Sequence, residues 1–187
     1  MRWVLAGLVL AGPAWAEPWI DYDVLFRQNA DRVVTITDAS GGVTRQLDMG
    51  DGVVVSCSDQ GCFGVDDKGA VGCTWMIYSA VLAVAEVCKV SDARTLQMQK
   101  VFGLFTGFVA ENAVPPRSVA AIRALHQSEV DRYREGGETV PLDCGEAVAP
   151  GSDVMMMIDN LTSQQIDLDA VEEALKTPRL PVMNPCL

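Results

Sequence analysis

The fold is decided by residues 73–88, which read CTWMIYSAVLAVAEVC. Between the two cysteines, the 13 residues from Trp75 to Val87 are almost wholly apolar, and only Ser79 and Glu86 interrupt them. Their alanines and leucine favour a helix. Such a helix is too short to cross a bilayer, which takes about 20 residues. The stretch therefore predicts the central buried helix of a globular domain.

The sequence before this helix has the pattern of β-strands, with β-branched residues on both sides of glycine-containing turns. The strand segments are Val33–Thr37, Val43–Leu47 and Val53–Cys57, and the turn segments are Gly41-Gly42, Gly50-Asp51-Gly52, Ser58–Gly61 and Asp66–Gly69. This spacing predicts a small antiparallel meander of three or four strands within residues 17–73.

The sequence after Cys73 predicts helices over most of residues 74–187. Apolar residues recur there at steps of three and four, and Ser91 and Ser118 are suitable helix caps. Pro115-Pro116 ends one helix and Gly136-Gly137 ends the next. Two short helices are expected near Ser152–Leu161 and Asp167–Lys176, and the buried residues should include Trp75, Val101, Phe105 and Phe108. The tail from residue 178 carries three prolines, so we expect it to be extended.

Taken together, these patterns predict an α+β fold in which a small N-terminal meander is followed by a bundle of three to five helices. No internal repeat or long linker divides the chain. We therefore expect residues 17–187 to form a single domain.

The first 16 residues have the pattern of a cleavable signal peptide. Arg2 supplies a positive start, Val4–Ala11 form a short apolar run, and small residues precede a cleavage point between Ala16 and Glu17. A periplasmic or secreted location follows from this prediction. No membrane span is expected after cleavage.

The chain is strongly acidic, with a formal net charge of −11. Cleavage would remove Arg2 and no acid, so the exported part would carry −12. Such a surface repels nucleic acid phosphates, and we expect no nucleic acid partner. Acidity of this kind mostly confers solubility.

Six cysteines lie in the predicted exported part, and an even number in an oxidising compartment favours three disulfides. They are Cys57, Cys62, Cys73, Cys88, Cys144 and Cys186. Fifteen pairings are possible, and the sequence does not choose among them. The short interval between Cys57 and Cys62 suits a tight β loop, and Cys88 with Cys144 would tie helices together. That combination leaves Cys73 to tether Cys186.

Candidate metal and cofactor sites are weakly marked. The single histidine, His126, cannot form a multi-histidine site, and we expect it at the surface or near a helix cap. Met155-Met156-Met157 would suit Cu(I), but adjacent helical residues diverge, which favours core packing. Asp59, Asp66 and Asp67 lie in turns without the ligand spacing of an EF-hand. We predict neither a metal nor another cofactor.

Catalytic motifs are also weak. The acid pairs Asp21 with Asp23 and Glu172 with Glu173 would suit a glycosidase only if folding placed their carboxyl groups on either side of a substrate. The spacing of Cys57 and Cys62 is wider than that of a redox Cys-x-x-Cys pair, which favours a structural disulfide. If a functional surface exists, the Cys57–Cys62 loop with Asp59 and the turn with Asp66 and Asp67 are its first candidates, because function concentrates on loops held by rigid scaffolds.

Two segments resemble uncharacterised exported proteins of alphaproteobacteria. They are Gly72–Tyr78, which leads into the helix ending at Cys88, and Pro181–Leu187. The resemblance implies a periplasmic location and assigns no activity to any residue.

The leading hypothesis is a non-enzymatic periplasmic accessory or binding protein, whose partner is another periplasmic protein or a small ligand. It follows from a cross-linked framework without a recognisable catalytic motif. One alternative is a cell-wall hydrolase that uses acidic residues. Another is a small-ligand or metal sensor with its pocket between the sheet and the Trp75 helix.

Overall fold

The structure is a computed structural model that describes residues 17–135, 142–163 and 168–186. The predicted signal peptide lies outside these ranges, as do the helix-ending residues Gly136 and Gly137 and the expected helix start at Asp167. The helices are α1 (Tyr22–Gln28), α2 (Val71–Val87), α3 (Ala93–Asn112), α4 (Val119–Glu135), α5 (Cys144–Ala147), α6 (Asp153–Ser163) and α7 (Leu168–Ala174). The sheet lies between α1 and α2, and the predicted α+β class is confirmed.

The sheet is an antiparallel meander in the order β1-β2-β3-β4. Its strands are β1 (Val34–Thr37), β2 (Val43–Gly50), β3 (Val53–Ser58) and β4 (Gly61–Asp66). Leu47 of β2 pairs with Val55 of β3, which in turn pairs with Gly64 of β4. Leu47 and Val55 are fully buried, so this row of the sheet faces the core.

Helix α2 is the predicted central helix and begins four residues before Trp75. The Trp75 indole N–H donates to Thr106 Oγ1 of α3 at 3.0 Å, which satisfies its only polar group. The ring also packs edge-on against Trp19, with 5.2 Å between centroids. Trp75 is buried as expected.

The helices after α2 follow the predicted segments, with α3 and α4 packed against α2 and α6 packed against α3. Asp92, and not Ser91, caps α3: its Oδ1 accepts the Thr95 N–H at 2.9 Å, while Thr95 Oγ1 accepts the Asp92 N–H at 3.0 Å. This reciprocal pair satisfies two N–H groups at once. Ser118 caps α4 as predicted, since its Oγ accepts the Ala121 N–H.

Two short helices were not predicted. Helix α1 is capped by Asp21, which accepts the Val24 N–H, and α5 is capped by Asp143. Among the expected core residues, Val101 and Phe108 are buried, whereas Phe105 is only half-buried. No helix within the described ranges is both long enough and apolar enough for a membrane crossing.

Three disulfides link the described chain, and they are the combination in which Cys57 pairs with Cys62 and Cys88 with Cys144. Cys57 and Cys62 are paired residues of β3 and β4 with Cα atoms 4.0 Å apart. The other two bonds join Cys73 in α2 to Cys186 near the C-terminus, and Cys88 at the end of α2 to Cys144 in α5. Three such bonds indicate an oxidising, extracytoplasmic environment.

The C-terminal tail lies extended across the domain, as expected. Its carbonyl groups accept three hydrogen bonds from distant parts of the chain: Pro181 O from the Trp19 indole, Val182 O from the Gly72 N–H, and Asn184 O from the Asp66 N–H. The tail crosses β4 so closely that a Cβ atom at Gly64 would lie 2.2 Å from Val182 Cγ1. Glycine at this position is therefore required by close packing.

Candidate functional site

A pocket of about 850 Å³ lies between the tip of the β3–β4 hairpin, one side of α2, the end of α4, helix α6 and the C-terminal tail. Its walls are formed by Glu17, Ser58, Gln60, Gly61, Cys62, Phe63, Met76, Ile77, Ala80, Val81, Val84, Tyr133, Val154, Met157, Met183, Asn184 and Cys186. These residues come from both ends and from the middle of the described chain. The pocket is therefore a product of the tertiary fold.

One side of α2 forms the longest wall of the pocket. Met76, Ile77, Ala80, Val81 and Val84 recur at steps of one and three residues, which places them on a single stripe of a helix. The opposite side of α2 packs against α3 and α4. The almost unbroken apolar sequence of α2 thus serves two surfaces: one faces the core, and the other faces the pocket.

The rest of the wall is also mainly apolar. It includes Phe63 of β4 and the thioether side chains of Met157 and Met183. Methionine is flexible and polarisable, so it can adapt to ligands of different shape. Two of the three disulfides border the space through Cys62 and Cys186 and hold the hairpin tip and the tail in place.

Glu17 supplies the only carboxyl group among the described lining residues. Its side chain is buried, with only 3% of the residue exposed. Oε1 accepts the Met183 N–H at 2.7 Å, whereas Oε2 is buried and has no hydrogen-bond partner within the described ranges. Burial raises the pKa of Glu17 to about 7, against the smaller opposing effect of the Met183 hydrogen bond.

Tyr133, near the end of α4, contributes a phenol ring to the pocket wall. Burial raises the pKa of its hydroxyl, so the side chain remains neutral at physiological pH. The Arg132 guanidinium lies over the ring, with its central carbon 4.8 Å from the centroid. Tyr133 is thus a neutral, hydrogen-bonding residue in a mainly apolar wall.

The structure separates the three aspartates of the predicted functional loops. Asp59 is exposed in the β3–β4 turn, between the lining residues Ser58 and Gln60. Asp66 and Asp67 lie at the opposite end of β4, and neither borders the pocket. The Cys57–Cys62 loop is therefore part of the pocket rim, whereas the turn at Asp66 and Asp67 is not.

Asp66 has a structural role. Its side chain is fully buried, and its Oδ2 accepts a hydrogen bond from Arg179 Nε at 2.6 Å. Its Oδ1 accepts the Lys68 N–H at 2.8 Å. The ion pair fixes the start of the C-terminal tail against the end of β4.

His126 differs from the expectation of a surface or cap residue. It lies within α4, half-buried, and its Nδ1 is 3.0 Å from Ser79 Oγ of α2. The imidazole also packs against Phe102, with 4.9 Å between ring centroids, and burial lowers its pKa. None of these residues borders the pocket, so the Ser79–His126 pair is a polar contact between helices.

The methionine run divides between core and surface. Met155 packs partly against the core, Met156 is exposed, and Met157 borders the pocket. The expected core packing therefore applies to Met155 alone. Within the described ranges, no three His, Cys, Asp or Glu side chains are grouped so that they could hold a metal ion. The acid pairs at Asp21 and Asp23 and at Glu172 and Glu173 lie outside the pocket wall.

The sequence suggested a pocket between the sheet and the Trp75 helix as one alternative, but it identified neither the other walls nor the carboxyl group of Glu17. Glu17 reaches its site because Trp19 and Ile20 anchor the segment after it: the Trp19 indole bonds the tail, and Ile20 pairs with Val114. No local pattern around Glu17 signals this. One signal of the pocket was present in the sequence of α2. Its apolar residues occur on nearly all sides of the helix, which is more than packing against α3 and α4 requires.

Comparison of the chain with known proteins gave no match. No protein-family model, no curated protein and no solved structure matched it. Functional inference therefore depends on the geometry and chemistry of the pocket.

Proposed function

We propose that the protein is a non-enzymatic binding protein of the periplasm or of another extracytoplasmic compartment, and that it holds a small, mainly apolar ligand in the pocket. The observation that carries the proposal is the pocket itself, which combines about 850 Å³ of space with apolar walls and one buried carboxyl group. Small-molecule sites have volumes of roughly 300–1,000 Å³, apolar walls and a few polar groups that orient the ligand.

The rigid frame around the pocket supports a binding role. Disulfides fix the hairpin tip and the tail, and α2 supplies a straight wall between them. A wall that is already in place loses little conformational entropy when a ligand enters, and this favours affinity. The methionines leave enough freedom for ligands of different shape.

The hydrolase alternative finds no support in this pocket. Glycosidases use two carboxyl groups placed on either side of the bond that they cleave. Glu17 is the only carboxylic acid among the described residues of the wall, so none of them places a second carboxyl group opposite it. A binding function requires no second acid.

The test is a titration with N-phenyl-1-naphthylamine, a neutral probe whose fluorescence rises in apolar surroundings. We expect saturable binding of one probe per wild-type molecule. Ala80→Trp places an indole in the middle of the α2 wall and should weaken binding at least tenfold, about the penalty of an overpacked site. Ala124→Trp makes the same change on an exposed position of α4 and should leave binding unchanged.

Circular dichroism and thermal melting should show that both variants are folded. The proposal is refuted if the wild-type protein gives no saturable signal. It is also refuted if a folded Ala80→Trp variant binds the probe as tightly as the Ala124→Trp variant does.

A further inference from the structure

The unpartnered oxygen of Glu17 indicates what the ligand must offer. Buried polar atoms are almost always hydrogen-bonded, and an unpaired one carries a free-energy cost. Oε1 has a partner in the Met183 N–H, but Oε2 has none within the described ranges. Oε2 is covered by neighbouring side chains, so a ligand that displaces them and brings a hydrogen-bond donor to this end of the pocket would supply the missing partner.

The charges of the wall narrow the choice of donor. Among the described lining residues, Glu17 is the only acid, and there is no lysine, arginine or histidine. Among the described side chains of the wall, a ligand carboxylate or phosphate would therefore find no cation, and it would meet the carboxyl group of Glu17. The net charge of −11 adds a long-range attraction for cations and a repulsion for anions.

The position of Glu17 also gives the ligand a direction. Glu17 bonds Met183 of the tail, and the tail is tied to the first turns of α2 through Gly72 and the Cys73–Cys186 bond. From there the apolar stripe runs along α2 to Val84, about 12 Å from Met76 at 1.5 Å per residue. A polar group near Glu17 would leave the rest of the ligand on the apolar stripe.

We infer that the pocket selects an elongated apolar ligand that carries a protonated amine at one end, and that Glu17 is the residue that recognises the amine. This inference rests on the proposed function. An ammonium group donates hydrogen bonds and neutralises the buried carboxylate, whereas a hydroxyl only donates a hydrogen bond. The amine lies beside Glu17, and the apolar body lies along α2.

The test compares three probes of equal chain length at pH 8: n-decylammonium, n-decanol and n-decanoate, each titrated below its micelle concentration by isothermal calorimetry. The protein is purified after export with its disulfides formed. We expect n-decylammonium to bind at least about tenfold more tightly than n-decanol, the difference typical of a hydrogen bond between charged groups. n-Decanoate should bind most weakly.

Glu17→Gln keeps an oxygen for the Met183 N–H and removes the charge, so it should bring the ammonium and alcohol affinities to within about threefold. Glu111→Gln makes the same change in net charge at an exposed position of α3 and should preserve the preference. Unchanged binding of n-decanol by Glu17→Gln would show that its pocket is intact. If that variant does not fold, the comparison of probes on wild-type protein still decides the matter.

Several results would overturn the inference. In one, wild-type protein binds the ammonium and the alcohol equally, as would happen if an α-amino group at Glu17 neutralised the carboxylate. In another, Glu17→Gln keeps the full preference. In a third, Ala80→Trp binds n-decylammonium as tightly as wild-type protein does. The ammonium probe would then be bound to the acidic surface and not in the pocket. If none of the three probes binds, the proposed function fails as well.

Discussion

The buried ion pair between Asp66 and Arg179 offers the sharpest test of how the tail is held. Arg179 Nε donates to Asp66 Oδ2 at 2.6 Å, and only 7% of the Arg179 side chain and none of the Asp66 side chain is exposed. Arg179 Nη1 also donates to Ala174 O at 3.1 Å, and the guanidinium lies over the Phe108 ring. The Asp66 carboxylate accepts one other hydrogen bond, from the Lys68 N–H.

Arg179→Ala should therefore be strongly destabilising. The variant leaves the Asp66 carboxylate buried with a single hydrogen bond, and removal of one partner of a buried ion pair typically costs about 3–5 kcal/mol. Arg134→Ala is a matched control, because Arg134 also pairs with acids but its side chain is 56% exposed. Exposed pairs contribute about 0–1 kcal/mol.

The free energy of unfolding should be measured by chemical denaturation, with tryptophan fluorescence as the signal. Trp19 is bonded to the tail and Trp75 is in the core, so both report on the region that Arg179 holds. The double variant Asp66→Asn with Arg179→Met should lose less than Arg179→Ala, because it leaves no buried charge. If Arg179→Ala lies within about 1 kcal/mol of Arg134→Ala, the ion pair does not hold the tail and the reasoning fails.

Other predictions concern the tail and the pocket carboxyl. Replacing both Cys73 and Cys186 by serine opens a loop with a sequence separation of 113 and should lower the unfolding free energy by about 4–5 kcal/mol in denaturation experiments; an unchanged midpoint would contradict this. Because the pKa of Glu17 is about 7 in the fold and 4.5 without perturbation, its contribution to stability is fully present below about pH 4.5 and is lost as the pH rises through 7. The loss should approach about 3 kcal/mol and should be absent from the pH profile of Glu17→Gln. Gly64→Ala should cost about 1–3 kcal/mol because its methyl group overlaps buried Val182, and Val182→Ala in the same chain should relieve part of that cost, as double-mutant unfolding curves would reveal.

The parts of the fold that the sequence predicted are those with local causes. The strands follow from β-branched residues around turns, and α2 follows from an apolar run between two cysteines. The sequence suggested Cys57 with Cys62 and Cys88 with Cys144 without choosing among the fifteen pairings, and the structure has both of these bonds. The predicted cap of α3, Ser91, was wrong by one residue. Asp92 is the cap because its side chain accepts the Thr95 N–H and the Thr95 hydroxyl accepts the Asp92 N–H.

The parts that were missed have distant causes. Asp66 has the sequence context of an exposed turn residue, yet it is buried because Arg179 reaches it from 113 residues along the chain. His126 is half-buried because Ser79 and Phe102 belong to two neighbouring helices. The pocket wall brings together residues from both ends of the described chain, such as Glu17 and Cys186. A local stretch of sequence does not show that such distant residues meet.

The pocket wall contains both Glu17 and residues of the C-terminal tail, and this has a consequence for biosynthesis. A chain that stalls on the ribosome before Met183 lacks the residue that bonds Glu17, and a protease that clips the tail removes the same wall. Only a chain that contains both Glu17 and the tail through Cys186 therefore has the whole pocket wall. Incomplete or damaged copies would lack part of the pocket wall, however well their sheet and central helix had formed.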